Sequence, residues 1–213
     1  MLSDKRIPVT DQCVLAALLT AKSQSLANKE CIRFHDKTVW TYKDAFILGN
    51  KVANTLNEKG IKKGDIVLVW LPNGPEAVAV LFGIALLGAV YMPLNVASKG
   101  KLLEQVIKLS EAEMIIADAS LVPRLQDIET GAINKVIIVG DLEQSPSLGN
   151  VELSYNLYSD NDNAVTTEVM PWETAAIILT SGTTGPSKGV LVSHLQLYAT
   201  AINAMGHVTD KDI

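Results

Sequence analysis

The chain has 213 residues, 48% hydrophobic and 19% charged, with a formal net charge of −5. That length suits one large domain or two small ones, and the acidic balance argues against a nucleic-acid partner. Cys13 and Cys31 match no metal-binding or redox spacing, which fits reduced thiols in a cytoplasmic protein, and the three scattered histidines outline no zinc site.

"CVLAALLTA" (Cys13–Ala21) has the look of a signal-peptide core, but Asp4 and Asp11 stand where a basic leader would lie. "WTYKDAFILGNKVANTLNEKG" reads as an amphipathic helix. Thr41 and Asp44 have capping-box spacing, and Gly60 supplies the stop. Ala45, Phe46, Gly49, Val52, Ala53 and Leu56 fall on one face of it. "DIVLVWLP" follows as a buried strand stopped by the turn "PNGP".

The uncharged run "AVAVLFGIALLGAVYMPL" (Ala77–Leu94) is long enough to span a membrane. Its alanine and glycine content, Pro93 and the lack of flanking positive charge favour a buried helix to Leu87, a break at Gly88 and a short strand. A helix over Leu102–Ser110 precedes the strand "MIIAD", and another near Ser120–Gln126 precedes "KVIIVG". Strands oily on both faces and bracketed by helices predict an α/β fold, a layered and largely parallel sheet flanked by helices. Residues 1–140 form that layered part, 141–171 read as a polar surface connection, and 172–213 open a second part of the same large domain. There "AAIILT", a glycine-rich loop, "GVLVS" and a helix follow in order. Leu195, Tyr198, Ala199, Ile202 and Met205 share one face of that helix, with Ser193 as its N-cap. The ending "TDKDI" has the look of a truncation.

The loop "TSGTTGPSKG" (Thr180–Gly189) is the richest in chemistry. Gly182, Gly185 and Gly189 let backbone amides approach an anion, and successive amides can form a concave, partly positive nest. Ser181, Thr183, Thr184 and Ser187 add hydroxyl donors, and Lys188 adds a mobile point charge suited to a polyphosphate tail. A Walker loop is excluded, because Ser187 stands at its second glycine and Gly189 follows the lysine. G-x-G-x-x-G is absent as well. The loop joins two strands, with no helix beneath the anion. On composition alone, a phosphate loop and a plain surface hairpin both fit.

"TSGTTGPSKG" resembles the phosphate loop of the adenylate-forming (AMP-binding) superfamily, close to T-S-G-[TS]-T-G-x-P-K-G, with Pro186–Ser187 in place of x-Pro. "LLGAVYMPLN" (Leu86–Asn95) is similar to a second segment of that family, and residues 41–76 are similar to the opening of acyl-CoA synthetases. "SGTTG" and "PLN" are more like acyl- or aryl-CoA ligases than peptide-synthetase adenylation domains. The resemblance implies the N-terminal portion of an AMP-forming carboxylate–CoA ligase, of acyl-CoA synthetase-like fold. The substrates implied are a carboxylic acid, ATP and CoA, with Mg2+ held by residues beyond this chain. It makes Thr180, Ser181, Gly182, Thr183, Thr184, Gly185 and Lys188 the ATP phosphate ligands. No catalytic residue and no metal ligand is expected within residues 1–213, so this portion alone is expected to be inactive. His194, after a strand, is expected to pack or cap a helix and not to act as a base. The alternatives are an adenylation domain loading a carrier protein, or a non-catalytic relic serving as an interaction module.

Overall fold

A computed structural model describes residues 8–180 and 188–205. The N-terminal segment forms a helical turn α1 (Thr10–Cys13) and helix α2 (Leu15–Ser25), then a hairpin of β1 (Glu30–Arg33) and β2 (Val39–Thr41). The signal-like "CVLAALLTA" is therefore core here, with Cys13, Val14, Ala16 and Leu19 buried. The hairpin carries no clear sequence signal, because its strands have only four and three residues.

Helix α3 (Tyr42–Glu58) starts at the expected cap. The Thr41 hydroxyl oxygen accepts from the Asp44 amide at 3.2 Å, and the Asp44 carboxylate accepts from the Thr41 amide at 2.8 Å. The Thr41 hydroxyl and amide hydrogen bonds hold the Asp44 carboxyl below the usual carboxylate range. Ala45, Gly49, Val52, Ala53 and Leu56 are buried as the periodicity required, with Phe46 at the margin.

Next come β3 (Ile66–Trp70), α4 (Pro75–Leu87) and β4 (Val90–Pro93). Gly88 breaks the long apolar run in a left-handed conformation, φ 74°. The Ala77–Leu94 segment is thus a buried helix and strand, and among the described residues no helix is long and apolar enough to cross a membrane. After α5 (Gly100–Ser110) and β5 (Met114–Asp118), the helix expected near Ser120–Gln126 is only a 3₁₀ turn, Val122–Leu125. Pro123 sits within it and cannot donate a helical hydrogen bond. Strands β6 (Lys135–Val139), β7 (Glu152–Ser154), β8 (Thr174–Thr180) and β9 (Lys188–Ser193) and helix α6 (His194–Met205) complete the order.

One seven-stranded sheet runs β7-β6-β5-β3-β4-β8-β9, parallel throughout except for the antiparallel β8–β9 pair. From β3 the chain crosses to β4 on one side, then from β4 back over β3 to β5 on the other. Right-handed crossovers in opposite directions place α4 and α5 on opposite faces. Alternate strand residues accordingly divide. Val67, Val69, Met114 and Ile116 pack with α3 and α4, and Leu68, Trp70, Ile115 and Ala117 pack with α5. Ligands bind such sheets outside the carboxyl ends of the strands, near the strand where the crossovers change direction.

The 141–171 segment is polar, as expected, but it is tied down. It contributes β7 and buries Leu157, Ser159 and Val169. Two buried asparagines of α3 satisfy its backbone. Asn50 Oδ1 accepts from the Val165 amide at 2.8 Å, and Asn54 Nδ2 donates to the carbonyls of Asn161 and Asn163 at 2.9 and 3.0 Å. Asn50→Ala would leave the Val165 amide unpaired in the interior, so a loss of about 1–3 kcal/mol is expected. Urea unfolding measures it, and an unshifted midpoint would refute the structural role of Asn50.

Candidate phosphate-binding hairpin and adjoining cleft

The proposed phosphate ligands sit between β8 and β9, which pair from Thr174↔Ser193 to Thr180↔Lys188. Thr180 and Lys188 are the last pair, and the Thr180 hydroxyl donates to the Lys188 carbonyl at 3.3 Å. Both residues are exposed. The two ends of the expected loop are therefore held together as the neck of a hairpin, at the carboxyl end of the sheet. Ser181, Gly182, Thr183, Thr184 and Gly185 lie outside the described residues. The Lys188 ammonium enters none of the ion pairs formed among the described residues.

Beside the neck lies a cleft of about 420 Å3. Pro93, Leu94, Asn95 and Ser98 form one wall, Ile178, Leu179 and Thr180 the other, and Leu102 and Val106 of α5 complete the lining. The two segments that carried the family resemblance, Leu86–Asn95 and Thr180–Gly189, thus meet at one place. β3 and β4 stay in register from Ile66↔Val90 to Val69↔Pro93, and β4 and β8 are bridged at Tyr91↔Ala176, which sets the C-terminal ends of β4 and β8 side by side at the cleft.

The turn behind Asn95 is knitted from several directions. Asn95 Oδ1 accepts from the Ala97 amide at 2.9 Å, and the Asn95 carbonyl accepts from the Ser98 amide at 2.9 Å and from Trp70 Nε1 at 3.0 Å. Arg124, on the 3₁₀ turn, donates to the carbonyls of Val96 and Ser98. Sequence reasoning missed Trp70 and Arg124, since a lone tryptophan in an oily strand and a lone arginine after a proline fit no motif.

His194 is placed elsewhere. It follows Ser193, which pairs with the start of β8, whereas Thr180 is at its end. Six residues of strand separate the two by roughly 20 Å. His194 is 3% exposed and its amide donates to the Glu173 carbonyl. Burial pulls the imidazole below its ordinary pKa, against the attraction of Glu173. As expected, it packs at the start of α6. Ser193 caps that helix reciprocally with Gln196. Leu195 and Tyr198 reach the core, but Ala199 and Ile202 of the expected apolar face are exposed, and the Met205 side chain lies outside the described residues.

Among the described residues no group of three or more His, Cys, Asp or Glu converges to hold a metal ion. No chemical step is assigned to magnesium through these residues.

The mostly parallel sheet flanked by helices is shared with solved adenylate-forming enzymes. The chain belongs to the family described as AMP-binding enzyme, whose sequence model matches residues 19–212. It is 31% identical over 153 residues to the crotonobetaine/carnitine–CoA ligase of Salmonella paratyphi A, covering 70% of this chain and 29% of that protein. It is 27% identical over 193 residues to syringomycin synthase SyrB1 of Pseudomonas syringae pv. syringae, covering 91% and 28%. The crystal structure of a long-chain-fatty-acid–CoA ligase from Archaeoglobus fulgidus superposes with a TM-score of 0.77 at 25% identity, over 93% of this chain and 39% of that one. The chain therefore spans less than a third of the length of these curated relatives.

Proposed function

We propose that the protein carrying this chain is an AMP-forming carboxylate–CoA ligase. In the first step a carboxylate oxygen attacks the α-phosphorus of ATP, and the bond from that phosphorus to the bridging oxygen breaks. Acyl-AMP and pyrophosphate result. In the second step the sulfur of CoA attacks the acyl carbon and AMP leaves. The observation that carries this reading is the hairpin neck at Thr180 and Lys188, opening beside a cleft walled by Asn95. Charge on the departing pyrophosphate needs donors already in place, and Lys188 with Thr180, Ser181, Gly182, Thr183, Thr184 and Gly185 would supply them. The cleft beside the neck is lined by apolar and uncharged side chains, and in this reading the segment's part is to hold the phosphate tail. Adenine, ribose, magnesium and acid contacts would come from the rest of the protein, and residues 1–213 alone are expected to be silent in catalysis.

The similarity to syringomycin synthase favours a second reading, an adenylation domain that loads a carrier protein. The full reading frame should show carboxylate-dependent exchange of label between pyrophosphate and ATP, tested with magnesium over a panel of aliphatic and aromatic acids. CoA-dependent release of AMP separates the ligase from the carrier-loading domain. A folded protein with no exchange for any acid would point to the non-catalytic alternative.

A further inference from the structure

We infer that Arg124 is a positioning residue for the cleft beside the phosphate hairpin, and that it acts by clamping the 95–98 turn onto Trp70; the substrate side of this inference rests on the ligase reading. Trp70 ends β3 and is completely buried, so its indole is a fixed platform. The Arg124 guanidinium stands 5.8 Å above the centre of that ring, within cation–π range. One guanidinium nitrogen reaches the Val96 carbonyl at 2.7 Å and the Ser98 carbonyl at 3.2 Å. Trp70 itself donates to Asn95 at 3.0 Å. Three of the four carbonyls of the turn are thereby tied to two side chains from different elements.

The clamp matters because the sheet holds only the first part of that wall. β3 stays in register with β4 as far as Pro93 and its Val69 carbonyl accepts from the Leu94 amide, but Val96, Ala97 and Ser98 belong to no strand among the described residues. That outer part of the wall is held from behind, by Arg124. A guanidinium suits the task better than an ammonium. It is planar, can lie over the indole and can still donate toward two carbonyls, whereas lysine offers a flexible point charge. Arg124 enters no ion pair among the described residues, so its bonds to the turn are not diverted.

The test uses the full protein with Arg124→Met, Arg124→Lys and Trp70→Phe. Hydrogen–deuterium exchange reads the clamp directly and needs no activity. In Arg124→Met the amides of Ala97 and Ser98 should lose protection by about tenfold or more, as expected for removing charge-assisted hydrogen bonds. Protection should remain unchanged in α3 and in β5. Steady-state kinetics read the consequence. KM for ATP, acid or CoA should rise about tenfold in Arg124→Met with kcat little changed, and the substrate affected identifies what occupies the cleft. Arg124→Lys should recover only part of that loss. Trp70→Phe, which keeps an aromatic face but removes the pyrrole ring and its N–H donor, should raise the same KM. Unchanged exchange at 95–98 would overturn the clamp. Loosened exchange with every KM unaltered would overturn its role in the cleft. If the wild-type protein proved inactive, the ligase reading would fall while hydrogen exchange still decided the clamp.

Discussion

Lys188→Ala in the full protein is expected to slow pyrophosphate exchange by on the order of 10²–10³, the usual cost of removing one preorganised donor from a developing charge. Its melting temperature should hardly move. Lys188 is exposed at the start of β9 and joins no ion pair among the described residues, so its truncation falls within the roughly ±0.5 kcal/mol typical of surface positions. Lys188→Arg keeps the charge but exchanges a compact ammonium for a planar fork, and it should recover only part of the rate. Thr184→Ala tests the hydroxyl donors in the same assay, with the same separation of rate from stability expected. Full activity in both alanine variants would reduce the hairpin to a plain connector. A large fall in melting temperature would show instead that the loop packs into the interior.

Gly83→Leu is expected to abolish folding, or nearly so, and the reason lies in how α3 meets α4. A Cβ built on Gly83 would stand 2.5 Å from Val52 Cγ1, 2.6 Å from its Cβ and 3.1 Å from the Ala53 amide nitrogen. These are atoms at or near the α3 backbone, and no flexible side-chain end can swing away. Gly49 makes the reciprocal approach, with a built Cβ 3.0 Å from Phe82 Cβ and from Leu86 Cδ1. Two helices packed this closely leave no room for a bulky side chain at either glycine. Even Gly83→Ala sets about 1 kcal/mol of gained helix propensity against about 1–3 kcal/mol of overpacking. A net loss is expected from urea unfolding. Adding Val52→Ala should relieve part of it, because the first overlap is with that side chain. Two singles and the double form a cycle whose coupling should be favourable. Additive losses would mean that the helices separate instead of clashing.

The same helix pair shows where sequence reading stops. Helix α3 announces itself: its cap, its stop and its apolar stripe are written in Thr41, Asp44, Gly60 and the spacing from Ala45 to Leu56, and each depends only on neighbours within a few turns. Helix α4 is apolar on every side, so its period cannot say which face meets α3. Only the tertiary structure selects Gly83 for the crossing. The parallel strands were legible for the same local reason, being short oily runs between turn residues, but their order was not. Strand order follows from which helices cover which face, a property of the whole chain. The 141–171 segment reads as a polar connection because its partners, Asn50 and Asn54, lie about a hundred residues upstream. No local pattern records such a pairing.

For the site, the sequence by itself supplied the candidate chemistry and the structure decided the place. Glycines, hydroxyls and one lysine in ten residues are the donors that an anion-binding loop between strands would need, because donor type and backbone freedom are carried by the residues themselves, though the same composition suits a plain hairpin. That Asn95 stands across from Thr180 in one cleft, and that Arg124 and Trp70 both donate to the turn behind Asn95, are long-range facts. They arise from the crossover of the chain around β3, which brings together residues separated by as much as about half its length, and such proximity exists only once the sheet has formed.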